Sequence, residues 1–251
     1  MADDLFDRQA LALRQARALR QGPRLFLAER MVADLAERLA LVRQRFGRGL
    51  LVGCPDERLA EPLAGAADQL VLAPALDDLA TFPPGSFDLL IVLGQLDTAD
   101  ELPALLGAVR HLLAPNALFI GAFPGNDTLP RLRSAMLAAD QARGHGVAPR
   151  IHPRVGASAF AGLLHAAGFE LPVVDVDRVR VRYRAFADLV ADLRGMAATN
   201  VLAARSRRPL GRVGLAVAKA DFAGAGTGEG TVEMAELVHF AAWTPGATKT
   251  A

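Results

Sequence analysis

Apolar positions along the chain fall into two alternating patterns. Residues 50–52, 69–73, 87–93 and 116–122 are short, nearly unbroken runs of Leu, Val, Ile, Ala and Phe, as expected of strands covered on both faces in a parallel sheet. Before and between them, apolar residues recur every three or four positions. Leu5, Leu11 and Leu19 are interleaved with Arg14, Arg17 and Arg20, which predicts a basic amphipathic helix. Leu27, Met31, Leu35, Leu39 and Val42 predict a second helix, stopped by Gly47. Helices are also expected over 57–67 and 101–113. This alternation from Leu50 to Phe123 predicts an α/β, doubly wound sheet with right-handed crossovers.

Beyond Phe123 the alternation loosens. A helix over 129–143, a loop through His145 and His152 and a helix over 158–167 make a helical cap of about 124–170. Residues 173–183 alternate as a strand pair or one long strand, with Asp175, Asp177, Arg178, Arg180 and Arg182 interleaved. Residues 186–202 have helical spacing, 206–230 are the least regular, and 232–243 form a last strand expected to run antiparallel. The Gly-rich stretch 224–230 reads as a flexible connection, because a phosphate loop needs a strand before it and a helix after it. The expected organisation is an N-terminal helical extension (1–46), a main domain (47–245) and a tail (246–251).

The turn Gly53-Cys54-Pro55-Asp56 stands at the carboxyl end of the first strand, where open α/β sheets bind ligands. Nucleoside sites there use several glycines for close backbone approach. Here Gly53 is followed by Pro55, which has no N–H to donate and confines Cys54 to extended conformations. The second strand ends in Ala73-Pro74, where a ribose-binding carboxylate is otherwise expected. Asp77 and Asp78 follow too late and are expected to cap the next turn.

With 28 basic and 27 acidic residues the chain lacks the positive field of a nucleic-acid protein, and no apolar run is long enough for membrane insertion. A single cysteine excludes an intramolecular disulfide and suits a reducing cytoplasm. Asp3, Asp4 and Asp7 argue against a transit peptide at the amino terminus. The five histidines, at 111, 145, 152, 165 and 239, have no metal-ligand spacing, and no metal is expected.

The chain resembles the class I S-adenosylmethionine-dependent methyltransferases, and within them the branch of the methyltransferase-like complex I assembly factor and its proteobacterial relatives. The general likeness lies in residues 5–8, 85–89 and 119–123; the branch likeness lies in 125–133, 174–177 and 192–196 with Asn200. The resemblance implies a seven-stranded Rossmann-like sheet with an antiparallel last strand. It also implies S-adenosylmethionine as cofactor and a protein partner belonging to respiratory complex I. Three cofactor elements depart from the family pattern together: the turn after Gly53, the tip at Ala73-Pro74, and Asp97-Thr98 where the family has a His-Trp pair. Weak or lost cofactor binding is the consequence.

Gly53, Cys54, Asp56, Gly94 and Gln95, at the ends of the first and central strands, are the candidates for cofactor contact. Asp127 is the candidate catalytic group, placed to orient a substrate or accept a proton, with helix capping as its alternative role. Thr128, Arg133, Arg150, Arg194 and Asn200 are the candidates on the substrate side, the arginines because guanidinium recognises carboxylate and phosphate. Cys54 has no adjacent base and is expected to be a small buried side chain. Two readings stay open: an enzyme that methylates or hydroxylates, and a non-catalytic protein that holds a partner.

Overall fold

The computed structural model describes residues 4–144 and 146–246, so His145 and all of the 246–251 tail except Gly246 lie outside the described residues. Its elements are α1 (Arg8–Gln21), α2 (Phe26–Leu41), β1 (Arg48–Val52), β2 (Gln69–Ala73), β3 (Phe87–Leu93), α3 (Leu102–Leu112), β4 (Leu113–Pro124), α4 (Pro130–Arg143), α5 (Ala157–Ala166), β5 (Glu170–Tyr183), α6 (Phe186–Gly195), α7 (Gly211–Gly224) and β6 (Thr231–Trp243). The six strands form one sheet in the order β2-β1-β3-β4-β6-β5. β1 pairs in parallel with β2 and β3, β3 in parallel with β4, and β6 antiparallel with β4. Among the described residues there are six strands where seven are expected, because between Ala73 and Phe87 the chain makes only the 3-10 segment Leu76–Thr81. β2 therefore stands at the sheet edge, with Leu72 46% exposed, and is not the buried strand its apolar run predicts.

The chain divides into two compact units. One comprises residues 26–125, 154–177 and 237–251. Its core is the face of β1, β3 and β4 carrying Leu50, Val52, Leu90, Val92 and Phe119, joined by Phe160 of α5 and Phe240 of β6. Phe160 meets Phe123 and Phe240 edge to face, with ring centroids 4.8 and 4.9 Å apart, a geometry that adds to burial of the rings. In α2, Arg38 reaches Asp175 of β5 through Nη1 at 2.7 Å and Nη2 at 3.0 Å, and Arg30 pairs with Asp177. His239 Nδ1 of β6 lies 2.7 Å from Asp34 of α2.

The other unit comprises residues 1–25, 126–153 and 178–236. Its core joins α4, α6 and α7 through Leu132, Ala135, Ala139, Phe186, Leu189, Ala218 and Phe222. α7 lies inside the stretch expected to be least regular. Its buried face is Gly214, Ala218 and Phe222, whose small residues carry almost no hydrophobic signal in sequence. In α1, Asp7 caps the helix by accepting the Ala10 amide at 2.8 Å, but only Ala18 is buried, and Leu13 and Leu19 face outward. The helix expected over 186–202 stops at Gly195, where a side chain would collide with Arg24. The segment Glu57–Ala66 is 3-10 rather than α, with Pro62 inside it, which cannot donate the i−4 hydrogen bond.

Candidate functional site

The carboxyl ends of β1, β2 and β3 meet in the unit that contains the parallel strands. β1 turns at Gly53 with φ +79°, and the Gly53 amide donates to Ala73 O at 3.1 Å. A Cβ at Gly53 would lie 2.6 Å from Leu93 O and 2.8 Å from Gln95 Nε2, so only glycine fits between these strand ends. Cys54 is half-buried; its Sγ donates to Asp56 O at 3.0 Å, and burial pushes its thiol up. Asp56 caps the following turn by accepting the Arg58 amide at 3.0 Å. It also takes the Arg58 guanidinium at 2.7 Å, and that hydrogen bonding holds its carboxyl at about 2.

At the end of β3 the chain reverses through Gly94 and Gln95. The Leu96 amide donates to Gly94 O at 2.7 Å, closing a γ-turn centred on Gln95 at φ 60°, ψ −33°. This turn is of the rare, strained kind. Its effect is to send the Gln95 side chain back over Gly53 to the tip of β2. There Nε2 donates to Pro74 O at 2.8 Å and Oε1 accepts the Leu76 amide at 3.0 Å. Gln95 O also accepts the Thr98 amide at 3.0 Å, which fixes the turn from its other side. Next to it, Asp97 and Arg154 form a buried ion pair at 3.2 Å, with Arg154 Nη1 left without a hydrogen-bond partner.

These residues do not fit S-adenosylmethionine held in the manner of the fold family. A nucleoside there lies over the glycine after β1 and presents its ribose hydroxyls to a carboxylate at the tip of β2. In this chain the Gln95 carboxamide occupies the face of Gly53 and both tip groups of β2. Two of the nearby acids are engaged elsewhere: Asp78 accepts the Ala75 amide at 3.0 Å, and Asp56 holds Arg58. Of the expected cofactor contacts, Gly53, Gly94 and Gln95 come together, with the Gln95 carboxamide bonded to Pro74 and Leu76 beside Gly53.

The substrate-side candidates are dispersed over the other unit. Thr128 is buried; its hydroxyl donates to Glu236 O at 3.0 Å and accepts the Glu236 amide at 3.1 Å. Arg150 is forked on Asp140 at 2.8 and 2.6 Å. Asn200 ties Pro149 O to the Leu202 amide at 2.8 and 3.0 Å. Arg133 and Arg194 are exposed and make no ion pair among the described residues. Asp127 is exposed and does not cap α4; it lies 3.9 Å from Arg178, and its amide donates to Glu236 Oε1 at 3.3 Å.

Two residues at this end of the molecule escaped the sequence reading, Glu233 and Glu236 of β6. Both are buried, and Glu236 lies 3.4 Å from Arg178. Their signal is present in the sequence as two acids inside a mostly apolar strand. His152 accepts the Val201 amide through Nε2 at 2.9 Å. Among the described residues no three His, Cys, Asp or Glu side chains gather as metal ligands, and no helix is long and apolar enough to cross a membrane.

Two solved structures superimpose on most of the chain. A Bacillus halodurans protein assigned provisionally to the methyltransferases matches with a TM-score of 0.54 over 85% of this chain and 98% of its own, at 11% identity. The YcgJ protein of Bacillus subtilis matches with 0.54 over 86% and 98%, at 10% identity. The fold is that of the class I methyltransferases.

In sequence, the chain is 29% identical over 196 residues to the zebrafish (Danio rerio) protein named Arginine-hydroxylase NDUFAF5, mitochondrial, covering 70% of this chain and 61% of that one. It is 29% identical over 221 residues to the rat (Rattus norvegicus) protein of the same name, covering 78% and 64%. A malonyl-[acyl-carrier protein] O-methyltransferase of Xylella fastidiosa is 27% identical over 177 residues, 69% of this chain and 58% of that one. The chain thus spans less than two thirds of the length of these relatives. No family model matches it.

Proposed function

We propose that this chain is a methyltransferase-fold protein of respiratory complex I assembly that holds a protein partner, working in the cytoplasm without using S-adenosylmethionine. The observation that carries this reading is the Gln95 carboxamide, bonded to both Pro74 and Leu76 across the face of Gly53. A ligand in that position would have to displace two hydrogen bonds and find a replacement for the absent ribose carboxylate. Likeness to proteins named NDUFAF5 over 70% or more of the chain supports complex I as the setting.

Calorimetric titration with S-adenosylmethionine and S-adenosylhomocysteine, taken to millimolar ligand on protein verified as folded, tests the first half. Absence of heat is expected; saturable one-to-one binding sinks it. Affinity capture from a respiring bacterial lysate tests the second half. Complex I subunits are the expected catch, and general chaperones alone would count against it.

An enzymatic reading is favoured by one observation, the hydroxylase name carried by the relatives. It requires that Gln95 move aside. In that case the triple variant Gln95→Gly, Pro55→Gly, Ala73→Asp should bind the cofactor more tightly than the wild type, and the wild type should bind it measurably.

A further inference from the structure

β5 carries its charges in two blocks. Asp175 and Asp177 in its first part are paired with Arg38 and Arg30. From Arg178 onward every second residue is arginine: Arg178, Arg180 and Arg182, continued just past the strand by Arg184, with no acid among residues 178–184. Alternation places Arg178, Arg180 and Arg182 on one face of the strand, about 7 Å apart, with Arg184 following in the bend after it. All four are exposed, whereas the intervening Val179, Val181 and Tyr183 are partly or fully buried, with Val181 and Tyr183 packed in the core of their unit.

The arginines are only partly neutralised. Arg178 lies near Asp127 and Glu236, at 3.9 and 3.4 Å. Arg182 is met at 2.6 Å by Glu229, itself 80% exposed on the turn before β6. Arg180 and Arg184 make no ion pair among the described residues. Arg182 and Arg184 border a surface pocket of about 590 Å³ with Gly228, Glu229 and Gly230. Gly230, at φ +119°, approaches Tyr183 so closely that a Cβ would lie 2.4 Å from its carbonyl oxygen, which brings the turn against the arginine end of the strand.

β5 is last in the strand order, so among the described residues one of its edges has no strand neighbour. We propose that the Arg178–Arg184 ladder is a docking surface for an extended acidic segment of a partner protein, laid along this edge as an added strand. A strand paired there presents its alternate residues on the same face as the arginines, at the cross-strand distance where opposite charges attract. The Glu229 carboxylate on Arg182 marks the contact such a segment would make and exchange. Nucleic acid or an anionic membrane would be drawn to the charge but would leave the backbone edge unused. The proposal does not depend on whether the cofactor is bound.

The test uses the full chain and a fluorescein-labelled peptide of alternating glutamate and threonine, followed by anisotropy at low salt. Binding that weakens with added salt is expected, with a loss of about tenfold or more in Arg180→Glu/Arg184→Glu, since like charges on facing surfaces repel. The same variant should gain affinity for the alternating lysine-threonine peptide. Should it fail to fold, as judged by circular dichroism and melting, Arg180→Gln/Arg184→Gln replaces it, with a smaller loss expected. Equal affinity of wild type and variant for the acidic peptide overturns the proposal. So does tighter binding of a single-stranded oligonucleotide or of phosphatidylserine vesicles than of the peptide.

Discussion

Glu233 of β6 accepts the Leu132 amide of α4 at 2.7 Å through Oε2. Its Oε1 accepts the Arg131 amide at 3.2 Å and the Met234 amide at 2.9 Å. The carboxylate is 2% exposed and sits where the helix presents its unpaired N–H groups. The α4 N-cap position itself is Leu129, at φ 62°, with no side-chain capping bond. A strand residue a hundred positions away in sequence therefore does the capping that Asp127 was a candidate for.

Glu233→Ala leaves the buried Leu132 amide and the part-buried Arg131 amide without that acceptor, and a loss of about 2–4 kcal/mol in unfolding free energy is expected. Glu233→Gln keeps one acceptor oxygen and should lose roughly half as much. Denaturant titration of both variants against Asp127→Ala, expected within about 0.5 kcal/mol of wild type as a surface change, checks the assignment. A large effect at Asp127 would return the cap to it.

Gln95 is strained by its backbone and held by its side chain, and two substitutions separate these contributions. Gln95→Ala removes the bonds to Pro74 and Leu76 but keeps a Cβ at φ 60°, and is expected to cost about 1–2 kcal/mol. Gln95→Gly removes the same bonds and relieves the strain, so it should melt above Gln95→Ala by the equivalent of about 1 kcal/mol. The reverse order of melting temperatures would mean that the turn is not strained.

Gly53 and Gly85 both have positive φ, +79° and +64°, yet only Gly53 has atoms within 4 Å of where a Cβ would stand. Gly85→Ala should cost about 1 kcal/mol for its backbone alone. Gly53→Ala should cost distinctly more, because the Leu93 carbonyl cannot yield without opening the β1–β3 pair. Equal melting shifts would show that the strand ends are less closely packed than described.

Asp140 is buried and held below the usual carboxylate range, chiefly by its hydrogen bonds from Arg150. Its folded value is below its unfolded one, so its stabilising contribution is present above about pH 4 and is lost as pH falls through the folded value. Asp140→Asn is expected to destabilise the protein at neutral pH and to flatten the acid limb of its stability curve. An unchanged acid limb, followed by urea midpoint against pH, would show that Arg150 does not perturb it.

The parts of the fold legible in sequence were those fixed by neighbours along the chain. Leu50–Val52 and residues 87–93 announce covered strands because almost nothing polar interrupts them, and Gly53 announces the turn that follows β1. α7 was hidden because its buried face is built from Gly214 and Ala218, where closeness of packing, not side-chain size, makes the contact. At the site, the erosion at Pro55 and Ala73-Pro74 could be read directly. The bonding of Gln95 to Pro74 and Leu76 could not, because it depends on a γ-turn and on two strand ends distant in sequence. Thr128 and Asn200 stand out in sequence as polar residues of the branch-specific stretches and Arg150 for its guanidinium; the bonds of Thr128 to Glu236 and of Asn200 to Pro149 join residues far apart along the chain and leave no local trace.

The chain passes from one compact unit to the other five times, after Leu25, Gly125, Pro153, Asp177 and Glu236. Neither unit is therefore a cassette that can be cut out, expressed or transplanted as a contiguous fragment. During synthesis, β4 waits for its antiparallel partner until residues 237–243 have left the ribosome, and Glu233 reaches α4 scarcely sooner. Until then the apolar edge of β4 and the amino end of α4 are both open, so the nascent protein has the most to gain from a chaperone just before its final strand emerges.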